Sequence, residues 1–98
     1  MKKLTSKRLR AEFMKTKFDL GKAKKQGDAE QIIRLEERLI AQAQVLLVGK
    51  QKTFDEFLGE VYNLCYVASK EKNEATNFLN KFRLQVRENT LQEIVTQL

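Results

Sequence analysis

This chain has 98 residues, enough for one domain spanning residues 1–98, and it contains no Pro, His or Trp and only one Cys. The absence of His excludes His-dependent catalysis and His-ligated metals, and a single Cys excludes an internal disulfide framework and a multi-thiolate zinc site. With 42% hydrophobic and 33% charged residues, the composition is that of a globular protein. We therefore expect no metal, no cofactor and no enzymatic activity.

The formal charge of +6 is distributed unevenly along the chain. Residues 1–25 hold ten basic and two acidic side chains, a balance of +8, whereas the remaining residues have a balance of −2. Such an asymmetry is typical of proteins with an anionic partner, whether nucleic acid, a lipid surface or an acidic protein face. Apolar runs such as Val45–Val48 are far shorter than the roughly 20 residues of a membrane span, so we expect a cytoplasmic location.

The apolar spacing predicts helices along nearly the whole chain. The first helix is predicted from about Ser6 to Lys25, and it ends at Gly27, a natural left-handed helix end. Asp28 is predicted to cap the second helix, in a capping box with the Gln three residues later, and Gly49 ends that helix.

The third helix opens at the clearest local signal in the sequence, the capping box formed by Thr53 and Glu56. Residues 69–72 are predicted to be a polar connection, and Asn73 is predicted to cap the fourth helix.

The apolar stripe of the fourth helix changes side along its length. Its first part consists of Ala75, Phe78, Leu79, Phe82 and Val86, and its second part of Leu91, Ile94, Val95 and Leu98. Because a straight helix cannot place both parts on one core, and because Thr90 and Glu93 form another capping box, we expect a break near residues 88–89 and a short fifth helix. The alternative is a continuous helix whose last stripe meets a second chain. The predicted fold is thus all-α, an antiparallel up-down four-helix bundle with a short fifth C-terminal helix.

The first helix carries the most specific candidate binding surface. Basic residues recur every seven positions in two rows, which we call the basic rails: Arg8, Lys15 and Lys22 form one rail, and Arg10, Lys17 and Lys24 form the other. Between the rails lies an apolar strip formed by Ala11, Met14 and Phe18. Such a surface fits anionic lipid headgroups or an acidic partner. The alternative is that the C-terminal apolar stripe covers Met14 and Phe18, which leaves the rails as a solvated rim.

Other residues that could serve a catalytic or binding role are interpreted as structural. The adjacent acids Glu36 and Glu37 point to different sides of a helix, so we interpret them as solvated charge. Cys65 lies on an apolar face and is interpreted as a small buried hydrophobic residue. Gly21 and Gly59 lie inside helices, and we attribute them to close approach of neighbouring helices.

One stretch of the chain resembles a known family. In residues 40–82, IAQAQVLLVGKQKTFDEFLGEVYNLCYVASKEKNEATNFLNKF, an Ala/Gln-Leu helix end, a Lys-rich turn, an FL-x-x-V-x-x-L helix, a polar loop and an Asn-x-Leu-x-x-Phe helix follow one another. This layout resembles that of the immunity proteins of class II bacteriocins from lactic acid bacteria. The resemblance implies a cytosolic four-helix bundle that protects the producing cell at the inner membrane face, and it implies that residues 73–98 help to recognise the bacteriocin or its membrane receptor.

The sequence therefore predicts a cytoplasmic binding protein, peripheral to the inner face of the membrane, whose first-helix surface contacts a protein partner or an anionic membrane. The alternative function is that of a basic nucleic-acid-associated protein, dimeric through the C-terminal stripe, because a basic stripe is sufficient for sequence-independent binding.

Overall fold

The computed structural model describes residues 5–49 and 53–98, so the contribution of Lys2 and Lys3 to the N-terminal charge lies outside the described residues. The described residues form four α-helices and no strand, which confirms the all-α prediction and the number of main helices. The helices are α1 (Ser6–Gln26), α2 (Ala29–Val48), α3 (Phe54–Glu74) and α4 (Phe78–Gln97). None of these four helices has the length and apolar character required to cross a membrane.

Two predicted helix starts are confirmed by their capping bonds. The side chain of Asp28 accepts a hydrogen bond from the backbone N–H of Gln31 at 3.2 Å. Thr53 accepts one from the backbone N–H of Glu56, also at 3.2 Å. Each bond satisfies an N–H group that the first turn of a helix leaves without a backbone partner. Gly27, with φ of 71°, ends α1 in the left-handed conformation and so permits the short connection to α2.

The boundary between α3 and α4 differs from the prediction. Residues 69–72 are helical rather than a polar connection, and α3 continues to Glu74. The cap of α4 is Asn77 and not Asn73, because the Asn77 side chain accepts hydrogen bonds from the backbone N–H groups two and three residues further on, at 2.7 and 3.3 Å. Both asparagines have the chemistry of a cap, but only Asn77 stands in front of a new helix.

The predicted break in the C-terminal region is wrong, because α4 is one continuous helix and no fifth helix follows among the described residues. The hydroxyl of Thr90 does not cap a new helix. It donates a hydrogen bond of 2.9 Å to the carbonyl of Val86 one turn earlier, as Thr does inside a helix. The apolar stripe changes side because α4 lies against both α2 and α3, so two of its faces are used.

The C-terminal apolar stripe packs within this chain and not against a second one. Leu91 is 0% exposed and Ile94 is 4% exposed. Both belong to the main core cluster, whose other buried members are Leu9, Ala41, Val45, Val61 and Ala68. A smaller second cluster consists of Leu20, Ala23 and Leu35, with Ile32 and Leu39 packed against it.

The helices pack in the order α1, α2, α4, α3. The close pairs are α1 with α2, α2 with α4 and α4 with α3, and α2 makes a smaller contact with α3. No Cα atom of α1 lies within 8 Å of a Cα atom of α3 or α4. Among the described helices, α1 is therefore an outer element whose backbone has one close neighbour, and no other described helix lies close to its opposite side.

Candidate binding surface on the first helix

The helix α1 has one buried side. Its buried residues are Leu9, Thr16, Leu20 and Ala23. The three apolar residues among them belong to the two core clusters and attach the helix to α2. Since successive helical residues are separated by about 100°, the positions opposite this side point away from the rest of the protein.

The apolar strip occupies this outward side. Met14 is 62% exposed and Phe18 is 65% exposed, and Ala11 is exposed beside them. The alternative in which the C-terminal stripe covers the strip is wrong, because Leu91 and Ile94 are buried in the main core cluster. No other described helix makes a close backbone approach to the outward side of α1 apart from its partner α2 on the buried side, and Met14 and Phe18 remain mostly exposed, so the strip is a largely uncovered apolar surface.

Both basic rails are exposed along their full length, as the helical spacing predicts. Two lysines lie over aromatic rings: the Lys22 ammonium is 5.0 Å from the centroid of Phe18, and that of Lys17 is 5.7 Å from the centroid of Phe13. A cation over the face of an aromatic ring is attracted by the negative potential of the ring. The Lys22 contact therefore places a positive charge directly beside the apolar strip.

The positive charge of α1 is not neutralised by carboxylates of the described residues. No rail cation has a carboxylate oxygen within 4.0 Å among residues 5–49 and 53–98. The ion pairs that the structure describes lie elsewhere, on α2, α3 and α4, such as Arg38 with Glu93 at 3.2 Å and Lys72 with Glu88 at 3.3 Å. The rail cations thus remain available to an external anion.

The acidic residues of α1 stand apart from the candidate surface. Within Ser6–Gln26 there are eight basic and two acidic side chains, and the two acids, Glu12 and Asp19, are both half-buried. Their helical positions lie at the edge of the buried side, about 140 to 160° from Met14. The outward side of α1 therefore carries cations and apolar groups without a carboxylate of the same helix.

A groove lies at one end of α1. Its volume is about 420 Å³, and its lining includes the first turns of α1 and α3 and the last turns of α2 and α4. Most of the lining side chains are apolar, and Arg10 supplies the charged side chain among the described lining residues. The second rail thus begins at the rim of this groove.

One of the two adjacent acids is not solvated, contrary to the prediction. Glu37 is 2% exposed and lies between α2 and α4, where its Oε1 atom is 2.6 Å from Nη2 of Arg87 and its Oε2 atom is 3.8 Å from Nη1 of Arg83. The (i, i+4) spacing of the two arginines indicates that they share a helix face, but their partner becomes visible only when the helices are packed. This cluster connects two helices and lies on a different element from the rails.

The single thiol is not activated. Cys65 is half-buried on α3, and burial together with the negative charge of Glu88 raises the pKa of the thiol above its ordinary value. A raised pKa leaves little thiolate at neutral pH, and the thiolate is the nucleophilic form. Cys65 packs against the main core cluster, as its interpretation as a hydrophobic residue predicts, but it is half-buried and not buried.

Comparison with known proteins adds no family to this description. No family model matches the chain, and no curated protein and no solved structure matches it. Among the described residues, no group of three or more His, Cys, Asp or Glu side chains is arranged to hold a metal ion.

Proposed function

We propose that this protein is a non-enzymatic binding protein and that the outward side of α1 is its binding surface. The observation that supports this proposal is the combination of an uncovered apolar strip, Met14 and Phe18, with flanking cations that have no carboxylate partner in the described part of the chain. Exposed apolar side chains cost free energy in water, and a contact that buries them beside an anionic surface recovers it.

The specific role that we propose is bacteriocin immunity, in which the protein protects a producing cell at the inner face of its membrane by contact with the bacteriocin or its membrane receptor. The four-helix architecture and the layout of residues 40–82 support this role. The proposal includes the antiparallel up-down order of the helices. This order is supported by the core clusters, because Leu9 and Val45 belong to one cluster and Leu20 and Leu35 belong to the other.

Expression of the protein in bacteriocin-sensitive cells tests the immunity role. We expect survival to rise against at least one class II bacteriocin, and we expect the double variant Met14→Gln/Phe18→Gln to lose this protection while it keeps its helical circular dichroism. The matched control is Tyr62→Gln/Tyr66→Gln, which has the same spacing and similar exposure, 56% and 66%, on α3. Unchanged killing by a full class II panel would contradict the immunity role.

A second candidate function, nucleic-acid association, is supported by the rail cations, which have no carboxylate partner among the described residues, since sequence-independent binding requires a row of positive charges along a phosphate backbone. A salt titration with duplex DNA and RNA tests it. Tight binding that weakens steeply with salt would support this function. Lack of binding at low salt would remove it. The dimer expected for this function relied on an exposed C-terminal stripe, and Leu91 and Ile94 of that stripe are buried within the chain, so the proposal does not include a dimer.

A further inference from the structure

We infer that the outward side of α1 is a peripheral membrane-binding site for bilayers that contain anionic lipids, with the apolar strip inserted among the lipid headgroups and the rails on their phosphates. This inference rests on the proposed function, because it assigns a partner to the same surface.

The arrangement of the strip between the rails carries the inference. Met14 and Phe18 are one turn apart and lie at the centre of the outward side, and the rails lie about 40 to 120° away from Met14 on either flank. A helix that lies in a membrane interface buries its central apolar residues below the headgroups and extends flanking lysines back to the phosphates. The Lys22 side chain, which already lies over the Phe18 ring at 5.0 Å, has the reach for this position.

The shape of the molecule permits α1 to lie flat on a membrane. The helix has 21 residues, which gives a length of about 30 Å. Its opposite side packs on α2, and α3 and α4 make no close backbone approach to it. The other described helices therefore lie behind α1 and do not obstruct contact between its outward side and a planar surface.

The chemistry of the strip favours a bilayer over nucleic acid as the partner. A phosphate backbone offers charge to the rails but no apolar environment for two side chains that are each more than three-fifths exposed. A bilayer interface offers both, since anionic headgroups attract the lysines and the acyl boundary accepts Met14 and Phe18. The central position of the strip is thus explained by the lipid partner.

Fluorescence of a Phe18→Trp variant tests insertion directly, because the chain has no Trp of its own. On vesicles of phosphatidylcholine with one-quarter phosphatidylglycerol, we expect a blue shift of the emission and quenching by brominated acyl chains. We expect no shift on pure phosphatidylcholine, and no shift for a Tyr66→Trp variant on either vesicle. Unchanged emission of the Phe18→Trp variant on anionic vesicles at low salt would overturn the inference.

Sedimentation of the wild-type protein with the same vesicles separates insertion from simple adsorption of a basic protein. We expect Met14→Gln/Phe18→Gln to lower the partition coefficient at least about tenfold, since burial of such side chains is strongly favourable. The control Tyr62→Gln/Tyr66→Gln should leave it unchanged. Equal partition of the strip variant and the wild type would contradict insertion.

The contribution of the rails is measured in the same assay. We expect the variant Lys15→Gln/Lys22→Gln to weaken binding about fivefold for each lysine. The matched control Lys70→Gln/Lys81→Gln removes two exposed lysines from α3 and α4 and should have little effect. An equal loss in both variants would indicate attraction by net charge alone and would contradict a site on α1.

The inference and the proposed function fail separately. Vesicle insertion by a protein that gives no protection to bacteriocin-sensitive cells would contradict the immunity role and leave the membrane site intact. Protection without insertion would contradict the membrane site alone. Tight duplex binding together with absent vesicle binding would overturn the inference in favour of the nucleic-acid function.

Discussion

The guanidinium of Arg87 contacts one carboxylate oxygen of Glu37 with two of its nitrogens, Nη2 at 2.6 Å and Nε at 2.8 Å. This pair joins α4 to α2, and the Glu37 side chain is 3% exposed. Because the two helices form the central pair of the packing order, the ion pair lies between the two halves of the protein. A charged contact thus takes part in the interface that holds the halves together.

Removal of Glu37 should destabilise the fold strongly. In the Glu37→Ala variant, the partly buried Arg87 and Arg83 lose their carboxylate partner and the α2–α4 contact loses a buried side chain, so we expect the free energy of unfolding to fall by about 2 kcal/mol. Urea denaturation followed by circular dichroism measures this loss. The neighbouring variant Glu36→Ala is the control and should change stability by less than about 0.5 kcal/mol. Equal stability of the two variants would show that the pair contributes nothing to the α2–α4 contact.

The reactivity of Cys65 should depend on Glu88. Because the Glu88 charge helps to raise the pKa of the thiol, the variant Glu88→Gln should lower that pKa and speed the reaction with a disulfide reagent at pH 8. In the wild type the protonated thiol is the form that folding favours. The raised pKa therefore adds to the free energy of unfolding at pH values below the ordinary thiol pKa, and this addition is lost as the pH rises through the pKa of Cys65 in the folded protein. The pH profile of the reaction rate measures the shift, with Glu71→Gln as a control that should leave the profile in place.

Two glycines of the α1 region should respond to alanine in opposite directions. An added Cβ at Gly21 meets no atom within 4 Å, so Gly21→Ala should stabilise the helix by about 1 kcal/mol. The attribution of Gly21 and Gly59 to close helix approach is wrong, since an added Cβ at Gly59 also meets no atom within 4 Å. Gly27 has φ of 71°, and Gly27→Ala should destabilise the protein by about 1 kcal/mol because a side chain disfavours this conformation. Thermal denaturation of both variants is the measurement, and a shift of the same sign in both would contradict this account.

The C-terminal stripe should behave as core. Leu91 is completely buried, and Leu91→Ala should lower the free energy of unfolding by about 3 kcal/mol through loss of apolar burial and formation of a cavity. Leu47, which is 67% exposed, provides the control, since Leu47→Ala should change stability little. Both variants are compared by chemical denaturation. A small effect at Leu91, accompanied by a change in oligomeric state, would instead place this residue at an interface between chains.

The parts of the fold that the sequence predicted correctly depend on short-range chemistry. Asp28, Thr53 and Gly27 act within a few residues of themselves, so a capping box or a left-handed glycine is recognisable without knowledge of the packing. The arrangement of side chains on the surface of α1 is likewise predictable from the local sequence. The helical period alone places Met14 and Phe18 between the rails, whereas their exposure is evident only from the structure.

The errors arose where distant contacts decide between local alternatives. Asn73 and Asn77 are both chemically able to cap a helix, but α3 continues through Asn73 to Glu74. The last turn of α3 is held against α4 by Lys72, whose ammonium lies 3.3 Å from Oε2 of Glu88 and 2.9 Å from Oε1 of Gln85. The continuous α4 has a similar origin, since a helix packed between two others can use two apolar faces. Such choices depend on which helices are neighbours, and local spacing does not contain that information.

The outer position of α1 has a consequence for the dynamics of the protein. If α1 detaches, the contacts of α2 with α4 and of α4 with α3 can persist, so local opening of α1 should require less free energy than global unfolding. Its amide hydrogens are then expected to exchange faster than those of α2 and α4. A partner that binds the outward side selects the attached, helical form and should slow this exchange. Hydrogen exchange of α1 would thus report directly whether its surface is occupied.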